Sequence, residues 1–472
     1  SSGRGVKRFA MDTTGVDDYY GNGDSRRASY VEDYDDFEEP SSVYYTLGDA
    51  FRFFLSDFGE MTVDLWKYCV KGALADWFDL TAYVILSSCL LRLMASYRRV
   101  PRPMVHLTSC VLGLYCLVGL IDWHGFYVFT FAVLVVTALY VAHWLLGRWR
   151  AVIVAGSCLS MIILVGEYQL VPPQWNRIRG TVMLISMKVI SLSLDLDSGA
   201  VTRLPSLEQL FGYVFHCGTV IFGPWISFYD YYRSIEIFTE EETDSSSSVD
   251  LLDPQWLVAV LRSLFLSTVY LVMSSCIIHW LLLDADEYGP WTAAFRDALA
   301  FRMSHYFVSF HSESSAVAAG IQRQRSAKDG DDFNRWNLEV VRPSRIELPR
   351  SLVDAVVRWN RPMHMWLKRY VYRPLLPRAG QYLAAVGTFA ASALLHGLSF
   401  RLGAVLLSLG LYTQVEYAVR AKMARRLNAC VAARECRSTC GHRHRGLRAR
   451  DPQDGDREPQ DGDREPQDGD RE

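Results

Sequence analysis

Seven stretches of this chain are apolar over the length a helix needs to cross a bilayer, and nothing else in the sequence restricts the fold as strongly. They run over Ala75 to Ala95, Met104 to Ile121, Phe126 to Leu146, Ala151 to Leu170, Leu210 to Phe228, Trp256 to Leu283 and Leu383 to Leu411. About 18 apolar residues suffice to span a hydrocarbon core of roughly 30 Å. Lipid offers no hydrogen bonds, so each span must satisfy its own backbone, and no strand-like alternation competes with helix here. The expected fold is all-α: a polytopic transmembrane bundle with broken or re-entrant helices around a central chamber. Half of the 472 residues are hydrophobic, yet mean hydropathy is only +0.05 because both ends are polar.

Those ends set the expected organisation. Residues 1–45 form an acidic arm ("DDYYGNGD", "VEDYDDFEE") with no apolar signal-peptide core, expected to be disordered. Met11 is a candidate initiator, which would make residues 1–10 a non-native extension. The membrane domain is assigned to 46–450. Residues 451–472 repeat "EPQDGDR", which lacks apolar a and d positions and is expected to be a disordered tail. That tail holds seven Asp, three Glu and three Arg, so the chain's net charge of −3 becomes +4 without it.

Within the membrane domain, "LGDAFRFFLSDFGEMTVDLWKYCVKGAL" reads as an interfacial helix leading into the first span. The basic turns "SYRRVPRP" and "GRWR" both favour the cytosol, which conflicts if a single pass separates them. Lys188 interrupts "RGTVMLISMKVISLSLDLD", so that segment is expected to be broken, tilted or re-entrant. Gly223-Pro224 interrupts the next apolar run. Arg302, His305 and His311 mark a segment expected to line a polar path. Cys69, Cys89, Cys110, Cys116, Cys158, Cys217 and Cys276 sit in or beside apolar runs and read as small hydrophobes. Cys430, Cys436 and Cys440, followed by His442 and His444, lack standard zinc-finger spacing; lipidation or free thiols compete with metal binding, and no metal is expected.

An ionisable residue inside an apolar run is costly and marks a site by default. His396, in "FAASALLHGLSF", is the clearest case, and Asn360, in "RWNRPM", is a second polar group amid dense aromatic and basic residues. The competing reading of each is a hydrogen bond to a neighbouring helix. The blocks "VVRWNRPMHMW" and "ASALLHGLSF" occur in this order, about three dozen residues apart, after "RGTVMLISMKVISLSLDLD" and "GTVIFGPWISFYDY". Together they resemble the membrane-bound O-acyltransferases, over most of the chain from about Trp66 to Arg450. Within that family the resemblance is to the branch that acylates Wnt proteins.

The resemblance implies that His396 is the catalytic histidine and Asn360 its signature partner. It implies transfer of a palmitoleoyl group from acyl-CoA, a co-substrate rather than a resident cofactor, to a serine hydroxyl of Wnt, in a multi-pass protein of the endoplasmic reticulum membrane. An imidazole accepting the serine proton gives this chemistry its nucleophile, and burial disfavours the charged ring that could not do so. Asn360 is expected to donate to the oxyanion or to hold the thioester carbonyl. Trp359, Met363 and Leu395, beside the two signature residues, are candidates for the acyl or reaction-chamber wall; Trp366, Lys368 and Arg369 are candidates for coenzyme A binding through charge and stacking. For all six, helix packing or interfacial anchoring is the competing reading. The family pattern also continues past the basic Cys/His loop into further apolar segments, where this sequence enters its charged repeat.

Two alternatives stand beside this reading: within the same family, an acyltransferase with a lipid, sterol or other secreted-peptide acceptor, and outside it, a non-catalytic transporter or scaffold using the polar groups as a pathway. Expected partners are Wnt, acyl-CoA and membrane lipids. Nucleic acid is not expected, because the basic residues sit in short loops beside spans, where topology accounts for them.

Overall fold

The computed structural model describes residues 59, 61–97, 99–145, 147–240, 253–282, 288–323, 334–427 and 429–433. The acidic arm, the repeat tail, the first part of the proposed interfacial stretch (47–58), and Cys436, Cys440, His442 and His444 lie outside them. Among the described residues there is no strand, and four helices are long and apolar enough to cross a membrane: Met61–Ser96, Arg102–Leu145, Pro254–Leu281 and Phe400–Leu427.

The first of these enters through a π-turn at Trp66–Val70 and continues as α1 (Lys71–Ser96). The described end of the amphipathic stretch is therefore part of the first span and not a separate helix. Arg102–Leu145 folds in two, as α2 (Arg102–Ile121) and α3 (Gly125–Leu145), at Asp122, whose φ is +60°. Gly125 packs back on Leu117, and Phe129 and Gly113 both meet Phe215, so the two helices are antiparallel. Two passes, not one, separate the basic turns, and both turns lie on one face. The anticipated conflict disappears.

α4 (Arg150–Ile163) and α5 (Pro172–Asp197) form the next antiparallel pair, tied by Arg150 to Asp197 at one end and by Gly166 against Trp175 at the other. α5 is an uninterrupted helix of 26 residues, contrary to the expectation of a break at Lys188. The break belongs to the following segment. The chain enters at Pro205, whose carbonyl accepts from Tyr140 near the end of α3, and forms α6 (Leu207–Val214). It turns through the buried stretch 215–227 and leaves as α7 (Phe228–Glu240), with the Ile235 carbonyl bonded by Arg102 at the start of α2. Entry and exit share a face, so Leu210 to Phe228 is re-entrant and adds no crossing.

Lys188 makes this excursion affordable in an apolar interior. Its Nζ, fully buried, donates to the carbonyls of Tyr213 (2.9 Å) and Val214 (3.2 Å) and to Thr219 Oγ1 (2.9 Å). Those two carbonyls lie at the end of α6, where no helical partner follows. The charge that marked a weak helix in the sequence is the group that satisfies its neighbour's open backbone.

α8 (Pro254–Val272), which continues through a π-turn to Leu281, lies antiparallel to α9 (Pro290–Ala318). Trp256 Nε1 donates to the Val317 carbonyl (2.8 Å), Ser263 to Glu313 (3.0 Å), and the rings of Tyr270 and Tyr306 meet at 5.2 Å. An irregular segment from Asn334 to Arg342 runs back along α9, its Val340 N–H donating to buried Glu313 (3.2 Å). Short helices α10 (Pro343–Glu347), α11 (Leu352–Trp359) and α12 (Arg361–Leu367) follow, then the hairpin of α13 (Arg373–Leu395) and α14 (Phe400–Leu427), with Phe389 on Gly410. Cys69 and Cys276 are joined in a disulfide and are not the free small hydrophobes expected; Cys89, Cys110, Cys116, Cys158 and Cys217 remain free.

Lys188→Met should lower unfolding stability by about 3 kcal/mol, because buried carbonyls lose a charged donor. The thermal midpoint of detergent-solubilised protein measures this. A wild-type midpoint would show that Lys188 does not support the re-entrant segment.

Candidate active site

His396 is the C-terminal cap of α13. Gly397 adopts φ +92°, a conformation open to glycine, and the last turn closes with His396 N–H to Ala393 and Gly397 N–H to Leu394, both 3.1 Å. The apolar run Leu383 to Leu411 is thus two helices, with the histidine at the tip of their hairpin. Leu395 is buried in the main core; the imidazole is half-buried and has no hydrogen-bond partner among the described residues. Gly397 packs on Trp175, and Arg179, one turn further along α5, is close enough to act electrostatically on His396.

Asn360 occupies the break between α11 and α12. Its Oδ1 accepts from Met363 N–H (3.0 Å) and caps α12, and Pro362 follows in the first turn, where a missing amide costs nothing. The cap commits the oxygen, so the part of the side chain available to a substrate carbonyl is the amide NH2. Its backbone is steadied from α9: His305 donates from Nε2 to the Trp359 carbonyl (2.8 Å) and stacks on the Trp359 ring at 4.1 Å with an interplanar angle of 1°.

α12 and the turn after it run parallel to α5, since Trp366 Nε1 donates to the Met187 carbonyl (3.0 Å) and Tyr370 donates to Asp195 (2.9 Å). Stepping back six residues from Trp366, roughly 9 Å at helical rise, brings Asn360 to the level of Arg179 and Thr181. His396 borders α5 between Trp175 and Arg179, toward the start of the same helix. The two signature residues do not hydrogen-bond each other; they flank one stretch of α5 from different hairpins.

The remaining candidates divide. Met363 and Leu395 both belong to the main apolar core, which also contains Trp175, Ile178 and Trp366. Trp359 does not join them: it packs on His305 and Phe301 of α9, in a second cluster. Trp366 is 3% exposed with its indole N–H bonded to Met187, which leaves no ring face for an adenine. Arg369 is tied to Asp195 (2.9 Å), an acceptor it shares with Tyr370, and Lys368 is half-buried next to it. Arg302 is bound by both carboxylate oxygens of Glu347, so it braces α9 against α10 and lines no path. His311 is fully buried between Phe222 and Phe307. Trp175 and Arg179, which border His396, were not singled out in the sequence. Arg179 is an intramembrane cation like Lys188, and that was the available signal.

The sequence model of the membrane-bound O-acyltransferase (MBOAT) family matches residues 132–432, a span that contains Asn360 and His396. The chain belongs to this family. Protein-serine O-palmitoleoyltransferase porcupine of Homo sapiens is 34% identical over 388 residues, 78% of this chain and 80% of that protein. The Mus musculus protein of the same name is 39% identical over 319 residues, covering 62% of this chain and 66% of its own length. That of Anopheles gambiae is 34% identical over 72% of this chain and 71% of its own. Lysophospholipid acyltransferase 6 of Drosophila melanogaster is more distant, 25% identical over 49% of this chain. As an MBOAT protein the chain is an acyltransferase, and the transporter and scaffold readings fall away.

Trp366→Phe removes one buried hydrogen bond and should cost about 1 kcal/mol of stability while leaving the KM for acyl-CoA unchanged in a single-substrate titration. A several-fold rise in KM would restore the stacking role to Trp366.

Proposed function

We propose that this chain transfers a palmitoleoyl group from acyl-CoA to a serine hydroxyl of Wnt proteins in the endoplasmic reticulum membrane. What supports the reading is that His396 at the end of α13 and the Asn360 amide at the start of α12 both stand at helix ends that pack along α5. The names of the porcupine relatives supply the acyl group and the serine. An ordinary imidazole, with a pKa near 6.5, is mostly neutral at pH 7. In the proposed reaction its free nitrogen takes the serine proton as the oxygen attacks the thioester carbonyl. Asn360 Nδ2 donates to the oxygen that becomes negative. Collapse of the intermediate expels the CoA thiolate, and the imidazolium returns its proton to that sulfur. His305 keeps the Asn360 break in place from α9. Met363 and Leu395 offer the acyl chain an apolar wall. No resident cofactor is required; acyl-CoA is consumed as co-substrate.

In cells lacking endogenous activity, this chain should restore Wnt serine acylation. His396→Ala should reduce transfer by about 10²-fold or more without changing its gel-filtration profile. Asn360→Asp keeps the cap and loses the amide donor, so it should lower kcat by about 10²-fold at near wild-type stability, whereas Asn360→Ala should lose both. Labelled acyl-CoA offered to a Wnt serine peptide and to a lysophospholipid decides the acceptor. Transfer to the lipid alone would overturn the proposal.

A further inference from the structure

Two independent observations point to the same end of the bundle as the one that faces an oxidising compartment. The first is charge. The described residues on one face include Arg99, Arg102 at the start of α2, Arg150 at the start of α4, Arg323 after α9, and Arg420, Lys422, Arg425 and Arg426 late in α14. On the opposite face the described connections at 122–124 and 164–171 hold no Lys or Arg, and the cations nearest that face, Lys67, Lys71 and Arg401, lie within helices. Lys and Arg in short loops mark the cytosolic side.

The second is the cysteine pair. Cys69 lies near the start of the helix that begins at Met61, and Cys276 near the end of the helix that stops at Leu281; with the helices antiparallel, both sit at the face opposite the basic one. Their Cα atoms are 5.9 Å apart across 207 residues of sequence, inside the range a disulfide requires. The five free cysteines from Cys89 to Cys217 lie elsewhere in the bundle, Cys116 and Cys217 both beside Ser87, and none of them is joined in a disulfide. Disulfides persist on the oxidising, non-cytosolic side of a membrane and are reduced in the cytosol.

We propose that the Cys69–Cys276 disulfide is a structural clamp formed on the non-cytosolic side, which ties the first helix to α8 and sits on the face that also presents His396. Trp175, which packs on Gly397, lies toward the end of α5 opposite Asp197 and its basic-face partner Arg150, and this places the hairpin tip on the clamp's face. The chemistry is thiol–disulfide exchange with a disulfide-bearing oxidoreductase of that compartment. One cysteine thiolate attacks a sulfur of the oxidant to give a mixed disulfide. The other thiolate displaces it, the oxidant leaves as its dithiol, and the two protons lost by the cysteines are taken up by that dithiol. The inference rests on cysteines and charge and does not depend on which acceptor the enzyme acylates.

The test uses the full chain in sealed membranes from expressing cells. Free thiols are blocked with N-ethylmaleimide after denaturation, the sample is reduced, and newly exposed thiols are tagged with PEG-maleimide. Wild type should gain two adducts that the double variant Cys69→Ser with Cys276→Ser lacks, and peptide mass spectrometry should map them to Cys69 and Cys276. Blocking of either cysteine before reduction in wild type would overturn the clamp. Orientation is read separately: an Asn-Ser-Thr acceptor loop between Tyr288 and Gly289 should be glycosylated, and the same loop between Gly199 and Ala200 should not. The reverse pattern would overturn the assignment of faces. Because the first readout is on wild type, a variant that fails to fold does not blur the result.

Discussion

A single ammonium group in the interior holds this architecture open. Lys188 donates to two carbonyls and one hydroxyl of the re-entrant segment, and without that donor the turn from Val214 to Thr219 could not sit among apolar side chains. Glu313 performs the mirror-image task, accepting from the Val340 amide of the irregular segment beside α9 and from Ser263. One buried cation serves stranded acceptors and one buried carboxylate serves a stranded donor. Non-helical backbone can then run at membrane depth, packed among the helices around it.

The candidate site is built from chain breaks of the same kind. His396 stands where α13 ends and Asn360 where α11 gives way to α12. A helix interior would turn such side chains toward a fixed neighbour. A terminus leaves them projecting into the space between elements, with position set by a glycine in one case and by a proline and a self-made cap in the other. α5 is the straight edge against which both are registered, which accounts for its continuity despite two embedded cations.

Much of this was legible in the residues. Apolar run length gave the helical class, and the rarity of intramembrane ionisable groups drew attention to His396 and Lys188. What the sequence hid was the partner of each charge. Lys188 was read as damage to its own helix because its acceptors are backbone carbonyls, which no side-chain pattern announces. For the same reason Leu210 to Phe228 passed as a span: hydropathy reports burial, and a re-entrant loop is as buried as a crossing. Trp366 and Trp359 sit in strings of aromatic and basic residues that look alike in sequence, yet one anchors to α5 and the other to α9. The pairing of Cys69 with Cys276 spans 207 residues and needed the fold to be seen.

The Lys188 contacts also impose an order on biogenesis. Its acceptors lie 25, 26 and 31 residues downstream, so α5 emerges from the ribosome ahead of the segment that will accept from Lys188. A lysine at the centre of an isolated helix resists insertion by about 3 kcal/mol. During synthesis that debt is carried by the helices already in place, α2 to α4, until α6 emerges and folds back. The fold is therefore one that has to be assembled from its N-terminal side, with the lysine waiting for the loop it will hold.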